Sequence, residues 1–550
     1  MSIADPELLT TENAFPHLDA GELQRVRKLA EVVEVEAGQV VYEAGQSRVD
    51  LYFVESGRLR IMTPDGQRVI AEHGPGQFAG DVDLLTRRPA IYSVVASKPS
   101  RLLRVPNAKV RDLLNTVPSV GEKIMVAIQL RRELIKDTGH FGVQVIGDKT
   151  CHDTNLIREF LHKNFVPFDW HDAACDAKAD RPEATPIVQC GDQRLVRPSL
   201  RKLAEVAGIW QACPIETVDL AIVGGGPAGI TAAVYAASEG LSTVVLDRLG
   251  PGGQAGGSSR IENFIGFPAG LSGTDLATRG VLQMLKFGAR IVAPVDVVEF
   301  EVGEDGKPHG LHLDCGGVLR AHAVLVATGV AWRRLEAKNA KEFERAGVYY
   351  ACTAIEARLH EGQDVAVVGG GNSAGQAAMF LSQDCAKKVH LLLRSGDLSK
   401  SMSDYLAARI KANPQIQVHT GAQIEEVLGE DRITGVKLKR TGEGPTELSL
   451  SGIFVFIGAE PHSRWLPSQV VRDERQYVLT GFDLIRRNQW PLKDRDPCPL
   501  ETSLPGLLVA GDVRAGSTKR VGFAVGDGAL AVTCVHQLRA ADQGRSPASA

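Results

Sequence analysis

The chain has 550 residues, 44% of them hydrophobic and 23% charged, a length that at roughly 150 residues per domain predicts three or four domains and excludes a single small module. With 62 Lys and Arg against 66 Asp and Glu, the net charge of -4 excludes an overall basic field for nucleic acid and a polybasic membrane anchor. No apolar run reaches the ~18 residues of a membrane-spanning helix, and MSIADPELLT has no basic stretch followed by an apolar one, so a soluble, cytoplasmic protein with reduced thiols is expected.

Residues 1–137 open with short alternating segments, EVVEVEAGQVVYEAGQ, DLYFVESGRLRIMTP and YSVVASKPSRLLRVP, punctuated by glycines. That spacing predicts a β-roll. Helical periodicity from Asn107 to Asp137 (Val110, Leu113, Leu114, Ile124, Ile128) predicts helices that close it. Residues 141–210 read as βαβββα: VQVIG, a helix with Leu156, Ile157, Phe160 and Leu161, FVPFDW, TPIVQC, RLVRP, and a helix capped by Ser199. Residues 211–217, with their Cys-Pro dipeptide, read as an extended linker.

From Val218 buried strands alternate with helices, the pattern of parallel sheets. Two strands run into glycine clusters about 145 residues apart. In the first, Gly224, Gly226 and Gly229 form GxGxxG between the strand DLAIV and a helix opened by Pro227 and Ala228. The first glycine permits a tight turn, the second lets backbone approach a pyrophosphate, and the third lets helix pack on strand. The next strand, STVVLD, ends in Asp247, placed to accept a hydrogen bond from ribose hydroxyls. In the second cluster Gly369, Gly371, Asn372, Ser373 and Ala374 follow VAVV, and the next strand ends in Arg394. A guanidinium there suits a 2′-phosphate, which favours NADPH over NADH.

Residues 218 to about 545 resemble the bacterial-type thioredoxin reductases of the pyridine nucleotide-disulfide oxidoreductases, through GGGPAG, GGQA from Gly252, IENFIGFP from Ile261, ATG from Ala327, GGGNSA from Gly369 and LLVAGDVR from Leu507. The resemblance implies an FAD domain at 218–330 and 455–545 with an NADPH domain inserted at 331–454, hinged near Gly329 and Gly458. It assigns Gly253, Gln254, Asn263, Ala327, Thr328, Gly329, Gly511, Asp512, Arg520 and Val521 to FAD. It also implies a homodimer. The fold class expected is therefore multidomain: an N-terminal β-roll with helices, an α+β thioredoxin-like domain, then two interleaved Rossmann-like domains.

The family's redox CxxC follows a G-V-x-Y stretch. Here that stretch is GVYYACTAIEA, with Ala351 and Ala354 at the two cysteine positions and Cys352 one residue off. None of the nine cysteines has CxxC spacing, and a disulfide relay needs two sulfurs in mutual reach. The family's arginine pair is likewise reduced to Arg394 and Ser395, with Ser399 or Lys400 as nearby compensation.

The roll resembles a cyclic nucleotide-binding domain, through FVESGRLRI and GPGQFAGDVDLL. Asp81 takes the glutamate position, but Ala90 stands where a phosphate-binding arginine belongs, leaving Arg87 or Arg88 as substitutes and a roll without nucleotide as the favoured reading. The 141–210 unit resembles a thioredoxin or glutaredoxin fold, with Pro186 at the cis-proline position. Cys151 takes the first active-site cysteine position and Thr154 the second. At a helix N-terminus Cys151 is a candidate reactive thiolate, with Cys190 as the candidate resolving partner.

The resulting expectation is an FAD-dependent NADPH oxidoreductase whose electron acceptor is a small redox protein, a quinone, oxygen or a disulfide, with no metal, nucleic acid or membrane partner. Two rivals stand beside it: a flavin- and NADPH-responsive sensor without steady turnover, and a thioredoxin-disulfide reductase working through Cys151.

Overall fold

A computed structural model describes residues 11–86, 88–136, 143–149, 151–173, 185–214, 216–258, 260–303, 307–394, 396–398, 402–430, 432–440 and 444–542. The N-terminal unit is an antiparallel roll in which strand Leu51–Met62 pairs with Ser93–Val105, Val69–His73 and Phe78–Ala79. Leu51, Phe53, Leu59, Phe78 and Leu103 are fully buried, and so are Val54 and its partner Leu102 on the opposite face, so this part of the sheet is covered on both sides. Helices Asn107–Thr116 and Pro118–Lys136 close it through Leu113, Leu114 and Ile124.

The next unit has four strands in the order Gln193–Val196, Ile187–Cys190, Val143–Ile146, Asp169–His171. Helices His152–Lys163 and Leu200–Val206 pack over it through Ile157, Phe160, Leu161 and Leu203. Thr185–Pro186 is a cis peptide. Ser199 caps the second helix by accepting from Lys202 N–H.

Beyond it lie two largely parallel sheets, the first carrying antiparallel strands Val297–Glu301 and His309–Leu313. In the first, strands Arg290–Val292, Thr243–Leu246, Val218–Val223 and Val318–Val326 run parallel. The long strand Val318–Val326 pairs through its first half with His309–Leu313 and through its second half with Leu507–Val509. This register brings two distant stretches of chain into one domain. The second sheet is wholly parallel, in the order Val348–Tyr349, Gly452–Val455, Asp364–Val368, Lys388–Leu392, Ile416–His419, with an antiparallel meander of Ala422–Gly429, Ile433–Arg440 and Thr446–Ser449 beside it. Between the two sheets the chain crosses twice, as the antiparallel ribbon Val330–Trp332 with Ala459–Pro461. Gly329 and Gly458, both at positive φ, immediately precede the two ribbon strands.

The segment read as a linker is pinned on both sides. Gln211 donates its side-chain N–H to the Thr86 carbonyl of the roll, and Cys213 packs on the core of the first parallel sheet. The roll is joined further by one continuous apolar cluster that includes its Leu84, Leu85 and Leu113 together with Leu282, Leu285 and Ala289. Among the described residues one helix, Val521–Ala540, is long and apolar enough to cross a membrane by length and composition. Glycines and polar residues, Asp527, Thr533, His536 and Gln537 among them, divide its apolar sequence. Its Ala531, Val532, Cys534 and Val535 are buried, and Gly528 lies so close to helix Pro227–Ser238 that a Cβ there would meet the Ala228 carbonyl at 2.3 Å. One side of the helix is packed in this way, while Phe523 and Leu530 are exposed.

Candidate functional site

The first glycine turn is built by close backbone contact. Gly224 has φ 110°, and a Cβ on it would meet the Ala327 carbonyl at 2.4 Å. A Cβ on Gly229 would lie 1.9 Å from the Gly224 carbonyl. Both positions therefore exclude any side chain. Gly226 differs, because a Cβ there would meet nothing nearer than the Gly253 Cα at 3.9 Å. The open space faces the N-terminus of helix Pro227–Ser238, whose cap Gly226 makes no side-chain cap hydrogen bond. Helices Ala20–Arg27 and Gly273–Phe287, by contrast, are capped by Asp19 and Ser272 side chains. An uncapped helix start with free N–H groups is a seat for a phosphate.

Three glycine turns converge on this seat. Gly252 N–H donates to the Gly225 carbonyl at 2.7 Å, and a Cβ on Gly253 would meet the Gly226 Cα at 2.8 Å. Gly511, at φ 74°, lies against Ala228. Its N–H donates to Asp527 Oδ2 at 3.0 Å, and Arg514 also holds Asp527 through Nε and Nη2 at 3.0 and 3.1 Å. Burial pushes the Asp512 carboxyl upward. Ala327 donates to the Val223 carbonyl at 2.8 Å, and Thr328 Oγ1 donates to the His462 carbonyl at 2.8 Å. Gln254 donates to the Val330 carbonyl at the ribbon. Asn263 lies in an exposed loop closed by the Ile261–Leu271 pairing, and Arg520 and Val521 stand at the start of the C-terminal helix.

Asp247 accepts from three backbone N–H groups. Its Oδ2 accepts from Gly225 N–H at 2.8 Å, while Oδ1 accepts from Leu249 and Gly250 N–H at 2.9 and 2.8 Å. The carboxylate thereby ties the glycine turn to the loop after the second strand. Sequence reasoning missed Asp527 and Arg514, although Arg514 falls inside LLVAGDVR.

The second seat repeats the first. Gly369 has φ 141°, and a Cβ on it would meet the Phe456 carbonyl at 2.3 Å. Gly371 opens helix Asn372–Asp384 with no side-chain cap, and Ala374 is fully buried beneath it. Asn372 Oδ1 accepts from Ser403 N–H at 2.8 Å, so that side chain anchors a neighbouring loop. Ser373 and Arg394 are exposed. Ser395, Ser399 and Lys400 lie outside the described residues.

A comparison with known families decides the identity of this half. Residues 218–528 match the profile of the pyridine nucleotide-disulphide oxidoreductases. The chain belongs to this family. NADPH-dependent thioredoxin reductase 3 of Arabidopsis thaliana is 35% identical over 324 residues, covering 57% of this chain and 56% of the relative. An alkyl hydroperoxide reductase subunit from Pseudomonas putida is 33% identical over 344 residues, covering 60% and 61%. The chain thus matches less than two thirds of these relatives' length. Among solved structures, Lactococcus lactis thioredoxin reductase in its FR conformation aligns with TM-score 0.52 and 26% identity over 58% of this chain and 99% of that one. The thioredoxin reductase of T. acidophilum aligns with TM-score 0.51 and 29% identity over 58% and 97%. The family's cofactors are FAD and NADPH, and both uncapped seats fit a dinucleotide pyrophosphate. Residues 32–117 match the cyclic nucleotide-binding domain profile.

The stretch GVYYACTAIEA packs against the first cradle. A Cβ on Gly257 would meet Ala351 Cβ at 3.4 Å, and Ser258 pairs with Cys352, so the segment lies against the GGQA turn of the first cradle. Cys352 is only 5% exposed and packs in the core of the second sheet. Burial pushes its thiol up.

In the small α+β unit Cys151 is the N-cap of helix His152–Lys163 and is half-buried. The structure does not bring Cys190 to it. Cys190 pairs with Val143, whereas Ile146 pairs with Ile187, so Cys151, beyond Ile146, lies past the opposite end of that strand. Three residues of extended chain separate the two ends by about 10 Å. Burial also pushes the Cys190 thiol up to about 11. In the roll Ala90 is buried, and Arg88 is engaged elsewhere, donating to the Asn164 carbonyl of the α+β unit. Arg87 lies outside the described residues.

Proposed function

We propose that the chain is an FAD-dependent NADPH oxidoreductase that passes electrons to its acceptor without the dithiol used by the thioredoxin reductases it resembles. The observation that carries this reading is the pair of uncapped glycine-turn helices on two interleaved domains, with Ala351 and Ala354 where a CxxC would stand. FAD, when bound, supplies two-electron chemistry between the nicotinamide and an acceptor. The residues of the chain bind, orient and hinge. The turns at Gly224–Gly226 and Gly369–Gly371 direct N–H groups at the two pyrophosphates, and Asp247 fixes the first turn in place. Gly329 and Gly458, next to the two-stranded ribbon, are the pivots about which the NADPH domain turns toward and away from the FAD domain. The acceptor is a small redox protein, a quinone, oxygen or a disulfide, and it reaches the flavin side directly or through Cys151. The subunits pair as a homodimer.

One observation favours a second, regulatory reading. The roll and the first parallel sheet share an apolar core, so a ligand in the roll can act on the flavin domain without a flexible tether. In its limiting form the protein is a sensor without turnover.

Anaerobic titration of the FAD-loaded full chain with NADPH, followed by addition of candidate acceptors, separates these readings. Stoichiometric bleaching of the flavin and then steady NADPH consumption with an acceptor, above the oxygen background, supports the enzyme. Bleaching with no turnover leaves the sensor, and no bleaching sinks both. Cys151→Ser tests the thiol route, because unaltered turnover removes Cys151 from the path.

A further inference from the structure

One helix of the small α+β unit touches both interleaved domains. Asn155, Glu159 and Lys163 stand four residues apart on helix His152–Lys163 and share one face. The first two meet the inserted domain at Arg345. Asn155 Nδ2 donates to the Arg345 carbonyl at 2.7 Å, and Glu159 Oε2 lies 3.5 Å from Arg345 Nη1. At the far end Lys163 Nζ donates to the Gly253 carbonyl of the first cradle at 3.4 Å and pairs with Glu159 Oε1 at 3.3 Å. Asn164, which ends the helix, donates to the Leu249 carbonyl at 2.7 Å. Arg345 belongs to the body of its domain, because its N–H donates to the carbonyl of Val348, which pairs with Ile453 in the second sheet.

The helix thus ties together two bodies whose chain connection is the hinge ribbon. A helix of 12 residues is a rigid rod about 18 Å long, so it cannot keep both attachments when one body turns on the other. The end on the FAD domain is the firmer. Asn164 is buried, Leu249 packs on the core of the α+β unit, and a Cβ on Gly250 would meet Asn164 Nδ2 at 2.7 Å. At the other end the Glu159 and Arg345 side chains are each 38% exposed, and an ion pair so open to water holds weakly. While that end is closed, Ala351 and Thr353 lie over the GGQA turn, 3.4 and 3.7 Å from where a Cβ on Gly257 would stand.

We propose that Asn155 and Glu159 are a latch on Arg345 that holds the NADPH domain in the arrangement seen here and has to release before that domain can turn. In the hinged oxidoreductase proposed above, on which this rests, the α+β unit is then a brake on flavin reduction. It acts through one helix face and needs none of its cysteines. Release falls on the Arg345 contacts, while Lys163 and Asn164 stay seated on the FAD domain, so the unit travels with the FAD domain and not with the NADPH domain.

The test closes the latch covalently. In the full chain carrying Lys163→Arg and Arg345→Lys, the amine beside Glu159 stands at position 345, and a carbodiimide joins it to the Glu159 carboxylate as an amide while taking up one water to become a urea. Mass spectrometry of the digest is expected to find a peptide linked through Glu159 and position 345. In the FAD-loaded linked protein NADPH bleaches the flavin about tenfold or more slowly than in the unlinked variant, while dithionite bleaches both alike. Equal bleaching by NADPH overturns the latch, as does the absence of a linked peptide from a variant that melts like the parent. Amide hydrogen exchange on the FAD-free chain decides the latch without cofactor and without that variant. Asn155→Ala is expected to speed exchange about threefold or more in the ribbon strands Val330–Trp332 and Ala459–Pro461, and unchanged exchange there overturns the latch. If NADPH bleaches neither linked nor unlinked protein, the oxidoreductase reading fails, and the exchange result still decides the latch.

Discussion

Asn164 Nδ2 donates to the Leu249 carbonyl at 2.7 Å, binding the small α+β unit to the loop that follows Asp247. The same side chain donates to the Phe160 carbonyl at 2.9 Å, and the Asn164 carbonyl accepts from Arg88 of the roll. Leu249 N–H donates to Asp247 Oδ1, so an unbroken chain of hydrogen bonds and short backbone runs connects the turn after the roll's short helix Asp83–Thr86 to the carboxylate that holds the first glycine cradle.

Asn164 is 2% exposed, and Asn164→Ala leaves the Leu249 carbonyl without its donor, while the Phe160 carbonyl keeps the backbone N–H of residue 164. Leaving a buried acceptor unpaired costs about 1–3 kcal/mol. The expected outcome is a lowered thermal midpoint and weaker FAD retention on gel filtration. Unchanged FAD retention would show that the Asp247 loop keeps its form without this anchor.

Gly226→Ala separates cofactor binding from folding. A Cβ at Gly226 meets no protein atom nearer than 3.9 Å, unlike one at Gly224 or Gly229, and the Gly226 φ of −78° suits alanine. The variant is expected to fold with an unchanged melting profile in the apo state and to lose FAD affinity about tenfold or more, because the methyl group fills the pyrophosphate seat. Flavin absorbance per mole of purified protein reads this directly.

Arg394→Ala addresses coenzyme choice. If the exposed guanidinium meets a 2′-phosphate, the variant raises KM for NADPH about tenfold, the loss of roughly 1.4 kcal/mol, and leaves KM for NADH unchanged. Equal loss for both coenzymes would assign Arg394 to general positioning.

His360 supplies an acid limb to stability. Its ring is buried, with Nδ1 at 2.9 Å from Ser451 Oγ and Nε2 at 3.3 Å from Tyr349 Oη. Burial, with a smaller contribution from Lys149, holds its pKa down at about 4 against the usual 6.5. The unfolded chain therefore takes up the proton first. The His360 contribution is whole above about pH 6.5 and is lost as pH falls toward 4, a change of about 3 kcal/mol. Denaturant titrations at pH 7 and pH 5 should show a drop that His360→Asn reduces.

Strand alternation, GxGxxG spacing and the absence of CxxC were legible because each depends on residues close together in sequence. The roll, the βαβββα unit and both glycine turns lie where local periodicity set them. Three findings depended on distant chain. Cys190 looked like a partner for Cys151 until the Val143–Cys190 register set the two at opposite ends of a strand. Arg88 looked available to serve the roll until it was found on Asn164. The apparent linker is a pinned segment, because Gln211 reaches Thr86 across a domain boundary.

By itself, then, the sequence determined which backbone turns this protein makes and which cofactor chemistry they admit, since a glycine's missing Cβ and a helix's free N–H groups are local properties. Only the tertiary structure decided which side chains are committed to neighbouring domains. A hydrogen bond depends on distances of a few ångströms between residues that chain connectivity leaves far apart.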